Sequence, residues 1–376
     1  MTIDFIAAVL ASPVSRRPFD QSTPLALETV TCTAHGPHEV IVEIQAASLC
    51  RSDLSVIEGV RAWPMPIIPG HEASGVVEEI GPGVTGFKPG DHVVLVYQAQ
   101  CGICPCCEDG RPHLCAPGLE ANRAGALLSG GPRLSLHGAP VHHHMGLSAF
   151  AQKAIVSEHS LVKVDDSVPF DIAALFGCGV LCGAGSILKT GAVQPGESVA
   201  IVGTGGVGSS AILGARLAGA ERIIAVDLDE GKCASARALG ATDTIIGGPD
   251  AAGEILELTN GGVNCALESA GNLEAFTTAY DATARGGRVV TLGLVSPETP
   301  YPLDIAGHVT SAKSIHGSYM GSCNPQIDIP EFVSLYQSGR FPVDQLISHT
   351  MPLKQVNLAL ERMAASTALR QILHPN

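Results

Sequence analysis

The sequence predicts an α/β fold in which a doubly wound parallel sheet is inserted into a mostly β domain. The first 170 or so residues contain short runs of partly alternating apolar and polar residues, separated by Gly-Pro turns. From about Gly191 the pattern changes to strand, helix, strand, which is typical of a doubly wound sheet. After about residue 322 the pattern is mixed again, and we expect this tail to pack back onto the first domain.

Size and composition limit the classes of function. A chain of 376 residues is long enough for two cores, and 45% hydrophobic against 15% charged residues excludes a disordered chain. The net charge of −14 disfavours nucleic acid and anionic membrane as partners, since both require a basic surface. The longest uncharged runs, 172–188 and 198–215, are rich in Gly and Ser and barely reach spanning length, so no membrane span is expected. The charge order of the first residues does not match a secretion signal, which favours the cytoplasm.

The first domain is predicted to be an antiparallel, barrel-like structure. Its clearest strands are Glu39–Ile44, Gly75–Ile80 and Asp91–Val96, and the segments Gly81–Gly83 and Pro89–Asp91 mark turns.

The second domain shows an alternation of buried strands and helices. One helix is predicted to end at Gly240, a residue that commonly terminates helices. The predicted elements are strands at Ser198–Val202, Arg222–Val226, Thr244–Ile246, Val263–Glu268 and Arg288–Leu292, and helices at Ser209–Leu217 and Lys232–Leu239.

A glycine-rich loop between the first strand and helix of this domain predicts a dinucleotide site. In Gly203–Gly208, the three motif glycines allow a tight turn, approach of backbone N–H groups to a pyrophosphate, and close helix–strand packing. Asp227 ends the next strand, where a carboxylate would bind a ribose diol and repel a 2′-phosphate, so NAD is favoured over NADP. Lys232 either reaches the same ribose or is an ordinary surface lysine. The alternative for the loop is a structural turn without a ligand.

Five cysteines lie between Cys101 and Cys115, and four of them have spacing suitable for a metal. In a chain without a secretion signal, such crowding indicates metal rather than disulfides. Four thiolates form a closed tetrahedral zinc shell, which makes the site structural; the last gap is too long for the common iron–sulfur pattern. Cys106 is surplus, unless it replaces its neighbour, and His113 is expected to be a solvated loop residue. The expected ligands are Cys101, Cys104, Cys107 and Cys115.

Three further residues, Cys50, His71 and Cys178, can form a second zinc site. Two cysteines and one histidine would leave a fourth coordination position open for water or substrate. Spacing alone does not bring them together, and each taken singly is more often a buried structural residue.

Taken together, the motifs resemble the zinc-dependent medium-chain dehydrogenase/reductase family, specifically the long-loop dimeric alcohol dehydrogenases of the liver and glutathione-dependent formaldehyde types. The resemblance covers nearly the whole chain. It rests on the glycine loop, the cysteine lobe and three motifs: Gly-His-Glu-x-x-Gly-x5-Gly at 70–81, Cys-Arg-Ser-Asp at 50–53 and Gly-Cys-Gly at 177–179.

The resemblance implies a fold and an assembly. A Rossmann coenzyme domain would span 179–321, inserted in a GroES-like catalytic domain formed by 1–178, with the zinc lobe at about 97–118, and by 322–376. It also implies a homodimer, formed through 289–294 and 305–316.

The resemblance assigns roles to individual residues. Cys50, His71 and Cys178 would bind the catalytic zinc, Asp53 and Glu72 would orient these ligands, and Ser52 would take the alcohol proton. The implied coenzyme contacts are Arg51 and Arg370 at the pyrophosphate and Cys182, Leu292, Ser318 and Met320 at the nicotinamide. They add to the contacts expected from the glycine-loop motif itself, which are Gly203, Thr204, Gly205, Gly206, Val207, Gly208, Asp227 and Lys232, and Leu294 is a further expected coenzyme contact. The implied substrate pocket contains Tyr97, His144 and Met145, with Arg61 and Trp63 at its mouth.

Two positions depart from the liver-type pattern. Ser55 replaces a histidine that ends the family's proton relay, and Leu119 replaces an arginine that binds glutathione, so a glutathione adduct is not expected. The run His142–His144 is not expected to chelate a metal, since consecutive residues of an extended segment face opposite sides.

The function implied is that of an NAD-dependent zinc alcohol dehydrogenase that interconverts a primary alcohol and its aldehyde, with two zinc ions per chain. Two alternatives remain open: an aldehyde dismutase-like enzyme with tightly held coenzyme, and a non-enzymatic relative that binds dinucleotide and zinc.

Overall fold

A computed structural model describes residues 2–33, 35–295 and 298–376. The chain divides into two compact units. The first contains Met1–Cys178, Asn324–Gln337 and Ile347–Asn376, and the second contains Gly179–Cys323 and Ser338–Leu346. Over the described residues, no helix combines the length and the apolar character needed to cross a membrane.

The regular elements are numbered in chain order. The strands are β1 (Ile3–Leu10), β2 (Leu25–Cys32), β3 (Glu39–Ser48), β4 (Ile67–Ile68), β5 (Glu72–Ile80), β6 (His92–Val96), β7 (Leu134–Leu136), β8 (Ala139–His143), β9 (Lys153–Ser157), β10 (Leu161–Lys163), β11 (Ser198–Val202), β12 (Arg222–Asp227), β13 (Asp243–Ile246), β14 (Val263–Glu268), β15 (Thr283–Thr291), β16 (Ser314–Gly317), β17 (Ile347–Pro352) and β18 (Arg370–His374). The α-helices are α1 (Phe19–Ser22), α2 (Arg51–Ile57), α3 (Pro105–Glu108), α4 (Ala116–Arg123), α5 (Phe170–Leu175), α6 (Gly179–Gly185), α7 (Gly206–Leu217), α8 (Glu230–Leu239), α9 (Ala251–Thr259), α10 (Leu273–Ala282), α11 (Ile305–Ser311), α12 (Pro325–Gln337) and α13 (Val356–Ala364). A π-helix at Ser186–Thr190 continues α6.

The first unit contains a closed barrel, in the order β1-β2-β7-β8-β4, and a second sheet, in the order β10-β6-β5-β3-β18-β17 with β9 also paired to β3. The central pairs β3–β5 and β5–β6 are antiparallel, as the sequence predicts. Phe5, Val30, Ile41 and Ile155 contribute to a buried core beneath the barrel. Because β3 ends just before Cys50 and β5 begins just after His71, this rigid sheet fixes the positions of two predicted metal ligands.

The second unit is built on a wholly parallel sheet in the order β13-β12-β11-β14-β15-β16. The strands β11 to β13 follow one another toward one edge of the sheet, and β14 to β16 toward the other. The boundary between β11 and β14 is therefore the switch point at which such sheets bind ligands. The predicted fold class, a Rossmann-type unit with a GroES-like mostly β unit, is confirmed. The last central strand begins at Thr283 rather than at Arg288, since Thr283 pairs with Val263 across a register shift.

One part of the C-terminal tail belongs to the second unit. The tail from 322 was expected to return to the first domain, yet Ser338–Leu346 groups with the parallel-sheet unit. Phe341, Val343 and Leu346 are fully buried, and the 3-10 turn Val343–Leu346 packs against α7. These apolar side chains are buried by residues distant in sequence, and this burial places Ser338–Leu346 in the second unit.

Candidate metal and coenzyme sites

Cys50, His71 and Cys178 converge in the first unit. One ligand atom from each lies within 4.8 Å of the others, and all three residues are buried. Cys50 is the N-cap of α2, His71 precedes β5, and Cys178 follows α5. Tetrahedral zinc with bonds of roughly 2.0–2.3 Å needs ligand atoms roughly 3.5 Å apart, so a small rearrangement allows these three to hold the ion. Two sulfurs and one imidazole are the donors that zinc prefers.

Asp53 orients two of the three donors. Its Oδ1 accepts hydrogen bonds from His71 Nδ1 at 2.8 Å and from the Gly70 N–H at 3.0 Å, and its Oδ2 accepts one from the Cys50 N–H at 3.0 Å. Burial disfavours the charged form of Asp53, but the neighbouring His71 and His144 hold the pKa of its carboxyl group below the ordinary value. A carboxylate bonded to Nδ1 places the imidazole proton on that nitrogen and leaves Nε2 with a lone pair for a metal.

The electrostatic surroundings favour the thiolate that a metal requires. A hydrogen bond from the Cys178 thiol, together with His71, holds the pKa of Cys50 well below its usual value although burial opposes this. Burial likewise disfavours charged His71, yet the Asp53 carboxylate and the Cys50 sulfur raise the pKa of His71 well above normal. Without a cation, these residues favour a Cys50 thiolate beside a protonated His71, and a bound metal ion would replace the proton on His71 Nε2.

A buried ion pair lies beside the same centre. Arg370 Nη1 donates to Glu72 Oε2 at 3.0 Å and to the Leu49 carbonyl at 3.3 Å. Burial opposes the charge on Arg370, but the carboxylate of Glu72 and the sulfurs of Cys50 and Cys178 raise its pKa above the ordinary value. The charge of Arg370 therefore lies next to the cysteine sulfurs of this donor cluster. Its pyrophosphate contact stays a prediction, as does that of Arg51, which is exposed in the first turn of α2.

The cysteine lobe forms the second cluster of donors. The sulfurs of Cys101, Cys104, Cys107 and Cys115 lie within 4.8 Å of one another, and the Cys101 N–H donates to the Cys115 sulfur at 3.2 Å. The backbone N–H of Cys107 contributes most to lowering the pKa of Cys104 to about 7, whereas burial raises the pKa of Cys107 to about 12. Four sulfurs close a tetrahedral shell and suit a structural zinc.

Two neighbours of the lobe differ from its ligands. Cys106 is not part of the four-sulfur group. His113 was expected to be solvated, but only 7% of it is exposed, because the 3-10 turn Pro112–Leu114 folds it inward.

In the second unit, the glycine loop joins β11 to the N-terminus of α7. Gly203 has a φ of 93°, and a Cβ on Gly208 would lie 1.8 Å from the Gly203 carbonyl oxygen, so neither position accepts a side chain. A Cβ on Gly205 would meet no atom within 4 Å. The loop is therefore open on the side where the free N–H groups of α7 emerge, which suits an anionic pyrophosphate. Thr204, Gly206 and Val207 complete the turn.

Asp227 lies beside this loop at the end of β12. Its Oδ2 accepts hydrogen bonds from the Thr204 N–H at 2.8 Å and the Thr204 hydroxyl at 3.0 Å, and Lys232 Nζ lies 3.9 Å from its Oδ1. A carboxylate in this position fits a ribose diol and repels a 2′-phosphate.

The remaining predicted coenzyme residues lie at or near the carboxyl ends of β15 and β16, or on α6. The Leu292 N–H donates to the Glu268 carbonyl at 3.1 Å, and the Ser318 N–H donates to the Thr291 carbonyl at 2.8 Å. Met320 is buried with a φ of 53°. Leu294 is exposed, and Cys182 is partly buried on α6.

Comparison with known proteins identifies the family. A model described as alcohol dehydrogenase GroES-like domain matches residues 36–166, and one described as zinc-binding dehydrogenase matches residues 206–338. A Mycobacterium tuberculosis protein provisionally named alcohol dehydrogenase D is 37% identical over 364 residues, which is 94% of this chain and 97% of that protein. The chain belongs to the zinc-dependent medium-chain dehydrogenase/reductase family.

Solved structures agree with this assignment. An alcohol dehydrogenase zinc-binding domain protein from Burkholderia ambifaria is 35% identical with a TM-score of 0.93, covering 100% of this chain and 99% of that one. Benzyl alcohol dehydrogenase from Acinetobacter calcoaceticus is also 35% identical, with a TM-score of 0.91 and 99% coverage of both chains. The chain is thus an oxidoreductase of the zinc-dependent alcohol dehydrogenase family, whereas its resemblance to the liver-type subgroup stays a prediction.

In this family member, aromatic residues surround His71. The ring centroids of Tyr97 and His144 lie 5.8 and 5.4 Å from that of His71, both edge-on, and Trp63 packs edge-on against His144 at 5.0 Å. His144 Nδ1 lies 3.2 Å from Asp53 Oδ1, and burial lowers the pKa of His144, so its ring is neutral.

The neighbouring residues His143 and His144 of the histidine run have different contacts. His143 points elsewhere and accepts a hydrogen bond from the Arg133 N–H at 3.2 Å, so neighbouring histidines do face different surroundings. His144, however, shares a possible metal-donor cluster with Asp53 and His71, which alternation along the strand did not predict. Met145 follows with a φ of 50°.

The proton-handling positions lie on α2. Ser52 is partly exposed in its first turn. The Ser55 hydroxyl donates to the Arg51 carbonyl at 3.1 Å, a bond within the helix. The Ser55 hydroxyl proton is therefore directed to the backbone of its own helix.

Sequence reasoning missed Glu268. This fully buried residue ends β14, and its carboxylate accepts hydrogen bonds from the Gly271 N–H at 2.5 Å and from the Thr291 hydroxyl at 2.9 Å. It joins the carboxyl ends of β14 and β15. In the sequence, the one feature that could have indicated a role for Glu268 is its position as an acidic residue at the end of a predicted buried strand, which Asp227 shares.

Proposed function

We propose that this protein is an NAD-dependent zinc alcohol dehydrogenase that interconverts a primary alcohol and its aldehyde. The observation that carries the proposal is the convergence of Cys50, His71 and Cys178 with Asp53 bonded to His71 Nδ1. Three donors leave a tetrahedral ion one position for a substrate oxygen, whereas the four sulfurs of the lobe leave none.

The chain's own residues prepare that centre. When bound, zinc supplies a Lewis acid that polarises the alcohol oxygen, and NAD supplies the hydride acceptor. Asp53 fixes the tautomer and direction of His71, while Cys50 and Cys178 supply negative charge. Arg370, which is paired with Glu72, is close enough to both cysteine sulfurs for their negative charge to raise its pKa, so its own charge would offset part of theirs.

Ser52 is the proposed acceptor of the hydroxyl proton. Ser52 Oγ would accept this proton from the alcohol, and a bound coenzyme would supply the acceptor for the hydride of the carbinol carbon, so that the product would be the aldehyde. Ser52 is partly exposed, so its own proton can pass to water without the histidine that Ser55 replaces. A hydroxyl is a weak base, and we therefore expect proton release to limit turnover at low pH.

The second unit would hold the coenzyme. N–H groups at the start of α7 would bind the pyrophosphate above Gly205, and Asp227 would bind the adenosine ribose. Because the Asp227 carboxylate disfavours a 2′-phosphate, the proposed coenzyme is NAD. Lys232 lies close enough to contact the same ribose.

The proposed substrates include aromatic primary alcohols. Tyr97 and Trp63 present aromatic rings near His71 and His144, and the benzyl alcohol dehydrogenase to which this chain is similar acts, by its name, on such an alcohol.

An alcohol screen tests the proposal. The zinc-loaded protein is incubated with NAD or NADP and with aliphatic, aromatic and terpenoid alcohols, and coenzyme reduction is followed by absorbance. We expect reduction of NAD by primary alcohols, with NADP much slower. Coenzyme reduction with none of the alcohols, from protein that binds NADH and two zinc ions, would contradict it.

The proposed assembly is a homodimer in the cytoplasm. On the second unit, β16 forms a sheet edge, and Ile305, Val309 and Ile315 are exposed on or beside it. The other segment expected at the dimer interface, 289–294, begins within β15, and β15 already has a paired strand on each side. The edge strand β16 is therefore the better candidate for pairing between subunits. The cysteines of the metal sites are free thiols, which suits a reducing compartment.

A further inference from the structure

Four hydroxyl groups of the second unit form one continuous chain of hydrogen bonds. Ser186 Oγ lies 2.9 Å from Ser318 Oγ, Ser318 Oγ lies 2.8 Å from Thr190 Oγ1, and Thr190 Oγ1 lies 2.8 Å from Ser322 Oγ. We call Ser186, Thr190, Ser318 and Ser322 the hydroxyl chain. Nothing in the proposed reaction uses its two members on the π-helix.

The direction of donation along the hydroxyl chain is fixed at one end. Ser186 donates its proton to the Cys182 carbonyl at 2.6 Å. A hydroxyl has one proton, so Ser318 must donate to Ser186, Thr190 to Ser318, and Ser322 to Thr190. Removal of one member therefore leaves its neighbours without a donor or an acceptor, and the effect is transmitted along the chain.

The π-helix makes this arrangement possible. It is closed by a hydrogen bond from the Gly191 N–H to the Ser186 carbonyl at 2.8 Å, five residues back. Ser186 and Thr190, four residues apart, lie on the same face and both reach Ser318. Single π-turns of this kind are rare and are frequently found at functional sites.

The segment held by the hydroxyl chain has an unfavourable backbone conformation. Met320, Gly321 and Ser322 have φ values of 53°, 65° and 55°, and the left-handed region is disfavoured for the two residues with side chains. A Cβ on Gly321 would lie 2.3 Å from the Leu181 carbonyl oxygen, so the backbone is pressed against α6. Such a turn persists only where surrounding contacts impose it, and the hydroxyl chain supplies them from both sides.

The position of the turn in the sheet indicates its use. Ser318 follows β16, at the carboxyl ends of the strands that form the second half of the sheet, β14, β15 and β16. In such sheets each half binds one nucleotide. Asp227 and the glycine loop lie on the first half, at β11 and β12, which leaves the nicotinamide nucleoside for the half that contains the turn.

We propose that Ser186 and Thr190 are positioning residues for the nicotinamide half of the coenzyme. They hold the left-handed turn at Met320–Ser322, and this turn presents the backbone that receives the nicotinamide ring. The inference rests on the proposed function, since it needs a dinucleotide coenzyme. It assigns no role to these hydroxyls in binding the adenosine half.

The test compares a ligand that contains nicotinamide with one that lacks it. Dissociation constants for NADH and for ADP-ribose are measured calorimetrically on the zinc-loaded wild type, T190V and T190S. The control is T277V, in the same unit, whose wild-type hydroxyl donates to the Leu273 carbonyl of its own helix. We expect T190V to bind NADH about tenfold more weakly than wild type, because the hydroxyls of Ser318 and Ser322 lose a hydrogen-bond partner next to the turn. Its affinity for ADP-ribose should stay within about twofold of wild type, since the substitution changes contacts only around the turn. T190S should restore NADH binding.

The outcomes separate this inference from the proposed function. Equal weakening of both ligands, or unchanged NADH binding in T190V, would overturn the positioning role while leaving the dehydrogenase proposal intact. Wild-type protein that binds neither ligand would overturn the proposed function and this inference together. If T190V does not fold, S186A provides the same comparison, because it removes the acceptor of the Ser318 proton.

Discussion

The buried carboxylate of Asp53 bonds His71 Nδ1 at 2.8 Å and, through its other oxygen, the backbone N–H of Cys50 at 3.0 Å. One side chain thus orients two donors from separate elements, α2 and the start of β5. The positions of the donors in this candidate metal site therefore depend on a residue that is not itself one of the three proposed ligands.

Replacement of Asp53 by Asn should weaken the metal centre without unfolding the protein. The amide keeps the shape but loses the charge that fixes the His71 tautomer, so we expect about 10–100-fold lower zinc affinity or turnover. Zinc content after dialysis against a chelator measures this. D91N is the matched control: Asp91 pairs with Lys163 outside the donor clusters, and this variant should retain both ions.

Replacement of Cys115 by Ser should remove the structural zinc. A closed four-sulfur site loses its ion when one thiolate is lost, and the lobe loses its main constraint. We expect one zinc fewer per chain and a lower melting temperature. C106S should keep the full zinc content, because Cys106 lies outside the four-sulfur group. Loss of zinc in C106S but not in C115S would reverse the ligand assignment.

Replacement of Asp227 by Asn should change coenzyme preference. The repulsion of a 2′-phosphate is removed and a charged hydrogen bond to ribose is lost, so NADH binding should weaken about tenfold and the NADPH-to-NADH affinity ratio should rise. Fluorescence titration with both coenzymes measures the ratio. D243N, at the amino end of the neighbouring strand β13, should leave the affinity ratio unchanged.

His143 should make the protein less stable in acid. Burial lowers its pKa to about 4, whereas an unfolded histidine has a pKa of about 6.5. Between these pH values His143 binds more protons in the unfolded state than in the folded state. Its contribution to the free energy of unfolding is therefore complete above about pH 6.5, and roughly 3 kcal/mol of it is lost as the pH falls toward 4. In H143Q, denaturant unfolding should show a shallower decline over this range. The exposed His137 provides the control, and a decline equally steep in H143Q and H137Q would contradict the assignment.

A charge on the sheet edge should separate the proposed dimer. Ile315 lies on β16 and is partly exposed, so I315E would place a carboxylate in the apolar interface. Light scattering should give the dimer mass for wild type and a monomer for this variant. L258E, which alters a similarly exposed leucine on α9, should stay dimeric. Monomeric wild type would refute the dimer.

Local sequence patterns were sufficient for the framework. Strands such as Ser198–Val202 and Val263–Glu268 were predicted with their observed ends, because mostly apolar runs bounded by turns are typical of buried parallel strands. The four-cysteine lobe is also local, so spacing alone predicted its donors.

Contacts between distant segments were not predictable in this way. Cys178 could be considered with Cys50 and His71 from residue type alone, but spacing did not bring the three together, and only the family resemblance assigned them to one site. The hydroxyl chain depends on the pairing of Thr190 with Ser318, and Glu268 acquires its role only when β14 and β15 lie side by side. Tertiary packing decides such contacts.

The central claim is that Cys50, His71 and Cys178 hold a zinc ion with one open coordination position. The most direct measurement is the zinc content per chain of wild type and C178S, determined by mass spectrometry together with NADH affinity and turnover. We expect two zinc ions in wild type, and in C178S one ion, near-normal NADH binding and no turnover. A variant that keeps two ions and full activity would show that Cys178 is not part of the catalyst.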